Sequence, residues 1–168
     1  LSLPLVAALI SGCSSLPVNT PRPTVPDTVV MISIDGLNVT ALGQGNSPHL
    51  DRLAGEGVSA QWMSPSYPSV TFPNHYTMVT GLRPDRHGIV HNQIDDAQLG
   101  RFELKDRQAL ADARWWSDAT PLWVQAQRAG LRVAVQAYPG SDAPIGGELV
   151  ALRQSFDPSI SLDQHAQT

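Results

Sequence analysis

The chain has 168 residues, 42% of them hydrophobic, and a formal net charge of −4. That length suffices for one ordinary domain with a core of its own, and the composition is that of a soluble globular body. The negative balance and the lack of any block of like charge exclude nucleic-acid binding through a basic patch.

The chain starts at Leu1 rather than at a methionine and ends at Thr168 in a polar stretch, so the N-terminal part of a longer protein is expected. Residues 1–10 are apolar but fall short of the ~20 residues that cross a bilayer as a helix. They read as the hydrophobic region of a secretory signal, which makes residues 1–12 a signal-peptide remnant. Ile10-Ser11-Gly12-Cys13 then resembles a bacterial lipobox, in which small residues precede a cysteine that is lipidated and becomes the mature N-terminus. The competing reading is a stray cysteine in a plain cleavable signal. Cys13 is the only cysteine, so no internal disulfide can form. Acyl chains gain ~0.8 kcal/mol per buried CH₂, and stable anchoring takes more than one chain. Residues 13–27 are expected to be a lipidated, Pro-rich tether in extended polyproline conformation. The implied location is the bacterial cell envelope, on the extracytoplasmic (periplasmic) side, anchored to a membrane. The folded part is expected over residues 28–168.

Residues 28–34 are rich in β-branched side chains and apolar on both faces, which predicts a central strand of a covered, largely parallel sheet. Asp35-Gly36 follows at its C-terminal end, where open α/β sheets place their active sites. Residues 46–57 predict a short helix with Ser47 as N-cap, Pro48 at the first position and Gly57 at the end. Residues 58–64 predict a second strand. The next helix runs over residues 73–80, stopped by Gly81 and then Pro84. Residues 120–130 repeat the pattern with Thr120 as cap, Pro121 in the first turn and Gly130 at the end. Residues 131–137 predict another strand. Beyond Ser141 the signal is weak, and Ile145-Gly146-Gly147 and Phe156-Asp157-Pro158 read as loops. Strands alternating with helices predict an α/β fold.

Chemistry concentrates in a few positions. Asp35, at a strand end and followed by glycine, can approach a cation closely, or can cap the turn after the strand. Thr71 stands directly before Pro73-Asn74-His75 at a helix start, where free N–H groups favour the negative charge of a phosphate. A threonine hydroxyl needs a base or a metal to become a nucleophile, and it also makes an ordinary helix N-cap. Both readings stand on the residues alone. His75 and His87 match no local zinc spacing, and His87-Gly88 reads as a turn whose imidazole bonds that turn or orients a neighbour. Asn92 can donate to a phosphoryl oxygen as charge builds, or can be a polar loop residue. Asp35 and Thr71 together suggest metal-assisted phosphoryl transfer.

Asp35-Gly36, the block Thr71-Phe72-Pro73-Asn74-His75, Thr80-Gly81 and the run from Pro84-Asp85-Arg86-His87-Gly88 to Asn92 resemble the nucleotide pyrophosphatase/phosphodiesterases. These are type I phosphodiesterases of the alkaline phosphatase superfamily. Trp115-Trp116, Pro121-Leu122-Trp123 and Tyr138-Pro139-Gly140-Ser141 fit the same pattern. The resemblance implies an alkaline-phosphatase-like α/β sandwich with a largely parallel central sheet flanked by helices, and a site of two zinc ions. It implies Asp35 and Thr71 as ligands of one zinc, Thr71 as nucleophile and Asn92 as the holder of a nonbridging phosphoryl oxygen. It implies in-line attack on a phosphodiester or pyrophosphate bond, a covalent phospho-threonine and its hydrolysis, with nucleotide-type small molecules as substrates.

The remaining ligands of such a site, three histidines and two aspartates, have no matching block in these residues; Asp142, Asp157, Asp163 and His165 do not fit. The 168 residues by themselves are therefore expected to be inactive and to bind zinc weakly. Two other functions compete: a superfamily hydrolase acting on monoesters or phosphonates, and a noncatalytic truncated remnant.

Overall fold

The computed structural model describes residues 28–167. The expected signal remnant, Cys13 and the expected tether lie outside the described residues. The chain divides into two units, Leu1–Ile32 and Ser33–Thr168.

Of the first unit only residues 28–32 are described. They carry no strand, and Val29, Val30 and Ile32 are exposed. In the second unit residues 58–64 also lack a ladder, and Val58, Trp62 and Met63 are exposed. These two segments correct the expected central strand over residues 28–34 and the expected strand over residues 58–64. Composition makes a segment fit to be a strand, but a strand exists only where neighbours take its N–H and C=O groups. No described strand pairs with either segment.

The helices are α1 (Pro48–Glu56), α2 (Thr71–Thr80), α3 (Pro84–His87), α4 (Arg107–Ala111), α5 (Leu122–Arg128) and α6 (Leu162–Ala166). Short 3₁₀ turns cover Val39–Ala41 and Ala113–Trp116. The strands are β1 (Gln93–Asp96), β2 (Gly100–Glu103), β3 (Ala134–Gln136) and β4 (Leu152–Gln154). β1 and β2 form an antiparallel pair in the register Gln93↔Glu103 to Asp96↔Gly100. β3 and β4 form a parallel pair in the register Ala134↔Leu152 to Gln136↔Gln154. The α/β character is as expected, although each described sheet has two strands.

The helix boundaries follow proline and glycine closely. α1 begins at Pro48 after Ser47, and the Gly57 N–H closes it on the Leu53 carbonyl. Ser47 holds the N-cap position without a side-chain cap bond. α2 ends at Gly81, whose φ of 70° supplies the left-handed residue that closes a helix without a Cβ clash. α5 differs slightly from expectation: Pro121 is its N-cap, and the helix proper starts at Leu122.

The core forms where α2 turns its Phe72, Tyr76 and Val79 face inward, positions spaced at three and four residues. Against that face pack Ile89, Phe102 of β2, Trp115, Trp116, and Trp123 and Val124 of α5. The aromatic contacts are mostly edge-on: Tyr76 to Trp116 at 5.0 Å, Phe72 to Phe102 at 5.8 Å and Phe102 to Trp116 at 5.7 Å between ring centres. Such pairs add ~0.5–1.5 kcal/mol each beyond the area they bury. Gly140 belongs to the same packing. A Cβ there would lie 2.9 Å from the Trp116 ring, and φ is +88°. The Tyr138-Pro139-Gly140-Ser141 turn thus lies flat on the indole because it has no side chain at that point.

Tyr76 is fully buried, and its one hydroxyl proton is shared between two carbonyls far along the chain, Trp116 O at 3.0 Å and Ala119 O at 3.1 Å. Burial pushes its ionisation well above the usual phenol range, with the nearby Asp118 charge acting in the same direction. Tyr76→Phe keeps the ring and strips both carbonyls of their donor. It should cost about 1–3 kcal/mol in chemical denaturation. An unchanged unfolding midpoint would show that those carbonyls find other partners.

Candidate active site

Thr71 is the first residue of α2, not its N-cap; the N-cap is Val70, extended at φ −121° and ψ 164°. This corrects the capping alternative. Pro73, in the first turn, has no N–H to leave unpaired, so it fits there at no hydrogen-bonding cost. Thr71 Oγ1 is therefore not spent on a capping bond. It donates instead to Asp35 Oδ2 at 3.1 Å, across 36 positions of sequence. Asp35 sits in an exposed turn, with Gly36 at φ 71°.

Asn92 reaches the same helix start from the segment after α3. Its Oδ1 accepts from the Phe72 N–H at 2.9 Å. That bond assigns the amide's orientation and turns Nδ2 away from Phe72, with no hydrogen bond of its own among the described residues. The structure thus brings Asp35, Thr71 and Asn92 around one helix start. Phe72 sends its side chain into the core while its N–H holds Asn92.

The two histidines are occupied elsewhere. His75 Nδ1 lies 2.8 Å from the Thr71 carbonyl, which can only accept, so the proton is on Nδ1. Tyr138 packs edge-on against that imidazole and donates to the His75 carbonyl at 3.1 Å. Burial pushes the Tyr138 phenol up to about 12. His87 is fully buried in α3, which is one helical turn where a simple turn was expected. Its Nδ1 accepts from the Ile89 N–H at 3.2 Å, so Nε2 carries the proton and faces the Pro73 carbonyl at 3.2 Å and Thr77 Oγ1 at 3.0 Å. His87 ties α3 to α2, which is the orienting role that its turn position suggested.

Asp35 and Thr71 fit part of a metal site. Two oxygens bound at ~2.0–2.1 Å to a tetrahedral zinc lie roughly 3.3 Å apart, and the observed pair is 3.1 Å apart. They can form one edge of such a tetrahedron. Among the described residues no group of three or more histidine, cysteine, aspartate or glutamate side chains gathers to complete it.

Residues 29–168 match the family model of type I phosphodiesterase / nucleotide pyrophosphatase. The chain belongs to that family. A pyrophosphatase/phosphodiesterase of Schizosaccharomyces pombe, itself described as uncharacterized, is 43% identical over 136 residues, which are 80% of this chain and 28% of the relative. Bovine ectonucleotide pyrophosphatase/phosphodiesterase family member 3 is 35% identical over 143 residues, 83% of this chain and 16% of the relative. Among solved structures, murine ectonucleotide pyrophosphatase/phosphodiesterase 5 aligns with a TM-score of 0.73 and 31% identity, covering 80% of this chain and 36% of that one. That structure is an inactive threonine-to-alanine variant in complex with AMP. The likeness shows that these residues take the α/β fold of the family's catalytic domain. The chain spans between 16% and 36% of the lengths of these three relatives.

The link from Asn92 to the Phe72 N–H is the part of the site that sequence reasoning missed. Nothing local signals it, since the partners lie 20 positions apart.

Burial holds the His87 imidazole below the usual histidine range, against smaller opposing effects of its backbone hydrogen bonds and of Asp85. The unfolded chain, with a value of about 6.5, therefore binds more protons just below that pH than the folded one. Stability should fall as pH drops from about 6.5 toward the depressed folded value, and level off beneath it. An NMR titration of the His87 ring should give a midpoint under 6.5, the ordinary value. A midpoint at or above it would contradict the buried clamp.

Proposed function

We propose that the protein to which these residues belong hydrolyses phosphodiester or pyrophosphate bonds in nucleotide-type substrates, with Thr71 as the attacking group. The observation that carries this is the 3.1 Å contact between Thr71 Oγ1 and Asp35 Oδ2 at the start of α2. Membership of the type I phosphodiesterase family supports the reaction class. The AMP-bound relative, inactive with a threonine replaced by alanine, supports both a threonine nucleophile and a nucleotide ligand.

Each residue has a role that its contacts permit. Asp35 holds the Thr71 hydroxyl by accepting its hydrogen bond, and fixes the direction of the oxygen's lone pairs. Two zinc ions are proposed per complete site, one held by Asp35 and Thr71, and when bound they supply the Lewis acidity that makes a threonine hydroxyl acidic enough to react at neutral pH. Thr71 Oγ1 forms a bond to phosphorus while its proton passes to solvent, which in turn protonates the departing oxygen. The ester or anhydride oxygen opposite departs with the electron pair of the broken bond. Water then attacks the phospho-threonine, which returns the hydroxyl to Thr71 and releases the phosphate ester. Asn92 Nδ2, free of other hydrogen bonds among the described residues, donates to a nonbridging oxygen as negative charge grows. The positive end of the α2 dipole acts in the same sense.

In the full-length protein Thr71→Ala should abolish turnover of an aryl phosphodiester while leaving the fold intact. Asn92→Ala should lower kcat/KM by an amount equivalent to ~3 kcal/mol. Near-normal kcat in the threonine variant would exclude Thr71 as nucleophile.

We also propose lipid anchoring at Cys13 on the extracytoplasmic side of a bacterial envelope, which rests on the Ile10-Ser11-Gly12-Cys13 motif and the apolar run before it. Palmitate labelling of the expressed precursor should disappear in Cys13→Ser. An unlabelled parent protein would sink the proposal.

A further inference from the structure

Residues 66–70 lead directly into Thr71, and their backbone is held by one side chain. Asn74 lies in the first turn of α2, and all three of its amide hydrogen bonds go to that segment. Oδ1 accepts from the Ser66 N–H at 2.7 Å. Nδ2 donates to the Pro68 carbonyl at 2.9 Å and to the Val70 carbonyl at 2.9 Å. The Asn74 backbone N–H also reaches the Val70 carbonyl at 3.4 Å, and the Val70 N–H folds back on the Pro68 carbonyl at 2.8 Å. The carbonyl just before the helix is thus gripped twice by one residue.

No other side chain of this length offers the same set. An amide has an acceptor and two donors on one rigid plane. Aspartate has the acceptors without the donors, serine is too short to span from Ser66 to Val70, and glutamine is one methylene longer. A side chain that bonds back to position i−4 inside a helix usually bends it. Here the i−4 residue is Val70, the N-cap, so the bond fixes how the chain enters the helix. Asn74 makes no hydrogen bond to Asp35 or Asn92 and does not touch the Thr71 hydroxyl through one.

We propose that Asn74 is a positioning residue for Thr71: it sets the angle at which residues 66–70 enter α2, and so the direction in which Thr71 Oγ1 meets Asp35. The inference rests on Thr71 being the attacking group.

Two variants and two readouts test it. Asn74→Ala removes all three bonds. Asn74→Asp keeps an acceptor for Ser66 and places a negative oxygen against two carbonyls. In the full-length protein, the Ser66 amide should exchange hydrogen about tenfold faster in Asn74→Ala, while the amides of α2 from Tyr76 onward keep their parent rates. In the full-length protein both variants should lower kcat roughly 10- to 100-fold with KM within about twofold, the signature of a displaced nucleophile and not of lost binding. Unchanged exchange at Ser66, unchanged kcat in both variants, or loss of protection throughout α2 would each overturn the proposal. Activity that survives Thr71→Ala would instead bring down the functional reading on which it stands, and Ser66 exchange would still report the brace.

Discussion

The placement of the α2 start governs the rest of the site. Had Thr71 been the N-cap, its hydroxyl would have been consumed by a backbone N–H two or three residues on. Because Val70 takes that position, Thr71 enters the first turn with its oxygen free, and Asp35 receives it. The next residue divides its labour. The Phe72 ring joins the aromatic core against Phe102 and Trp116, and its N–H holds Asn92. One dipeptide therefore links the packed interior to Asp35 and Asn92.

The energetics favour this direction of control. A hydrogen bond such as that between Thr71 and Asp35, on an exposed turn, contributes only ~0.5–1.5 kcal/mol net. It cannot hold a ten-residue helix in place. The helix is held by its buried face, by the two carbonyl contacts of Tyr76, and by the His87 clamp from α3. That scaffold sets the place of Thr71, and Asp35 meets it from an exposed turn. His75 and His87, which match no local zinc spacing, serve this scaffold through the Thr71 and Pro73 carbonyls.

What was legible in the sequence divides along the same line. Helices α1, α2 and α5 announce themselves through Pro and Gly at their ends, because those residues act on the local backbone. Asp35, Thr71 and Asn92 stood out as candidates by residue type and motif, and the structure gathers them around one helix start. The β-branched run before Asp35 and the segment after Gly57 were misread as strands, because pairing depends on partners far away in sequence. The β1–β2 hairpin escaped notice for a related reason. Its turn, closed by Asp96 Oδ1 on the N–H groups of Gln98 and Leu99, lacks the usual Asn-Gly or Asp-Gly signal. Helices α4 and α6 have five residues each, too few for a periodic pattern to show. Thr71 was misjudged as a cap candidate because threonine is a common N-cap, and the residue that displaces it, Val70, is not.

The claim at the centre is that Thr71 carries the phosphoryl group during turnover. The full-length protein, mixed with a nucleotide substrate and quenched in acid within one turnover, should yield a peptide whose Thr71 bears the mass of the phosphate ester, and the adduct should vanish as substrate is exhausted. An adduct on another residue, or none in a protein that is turning over, would contradict the account.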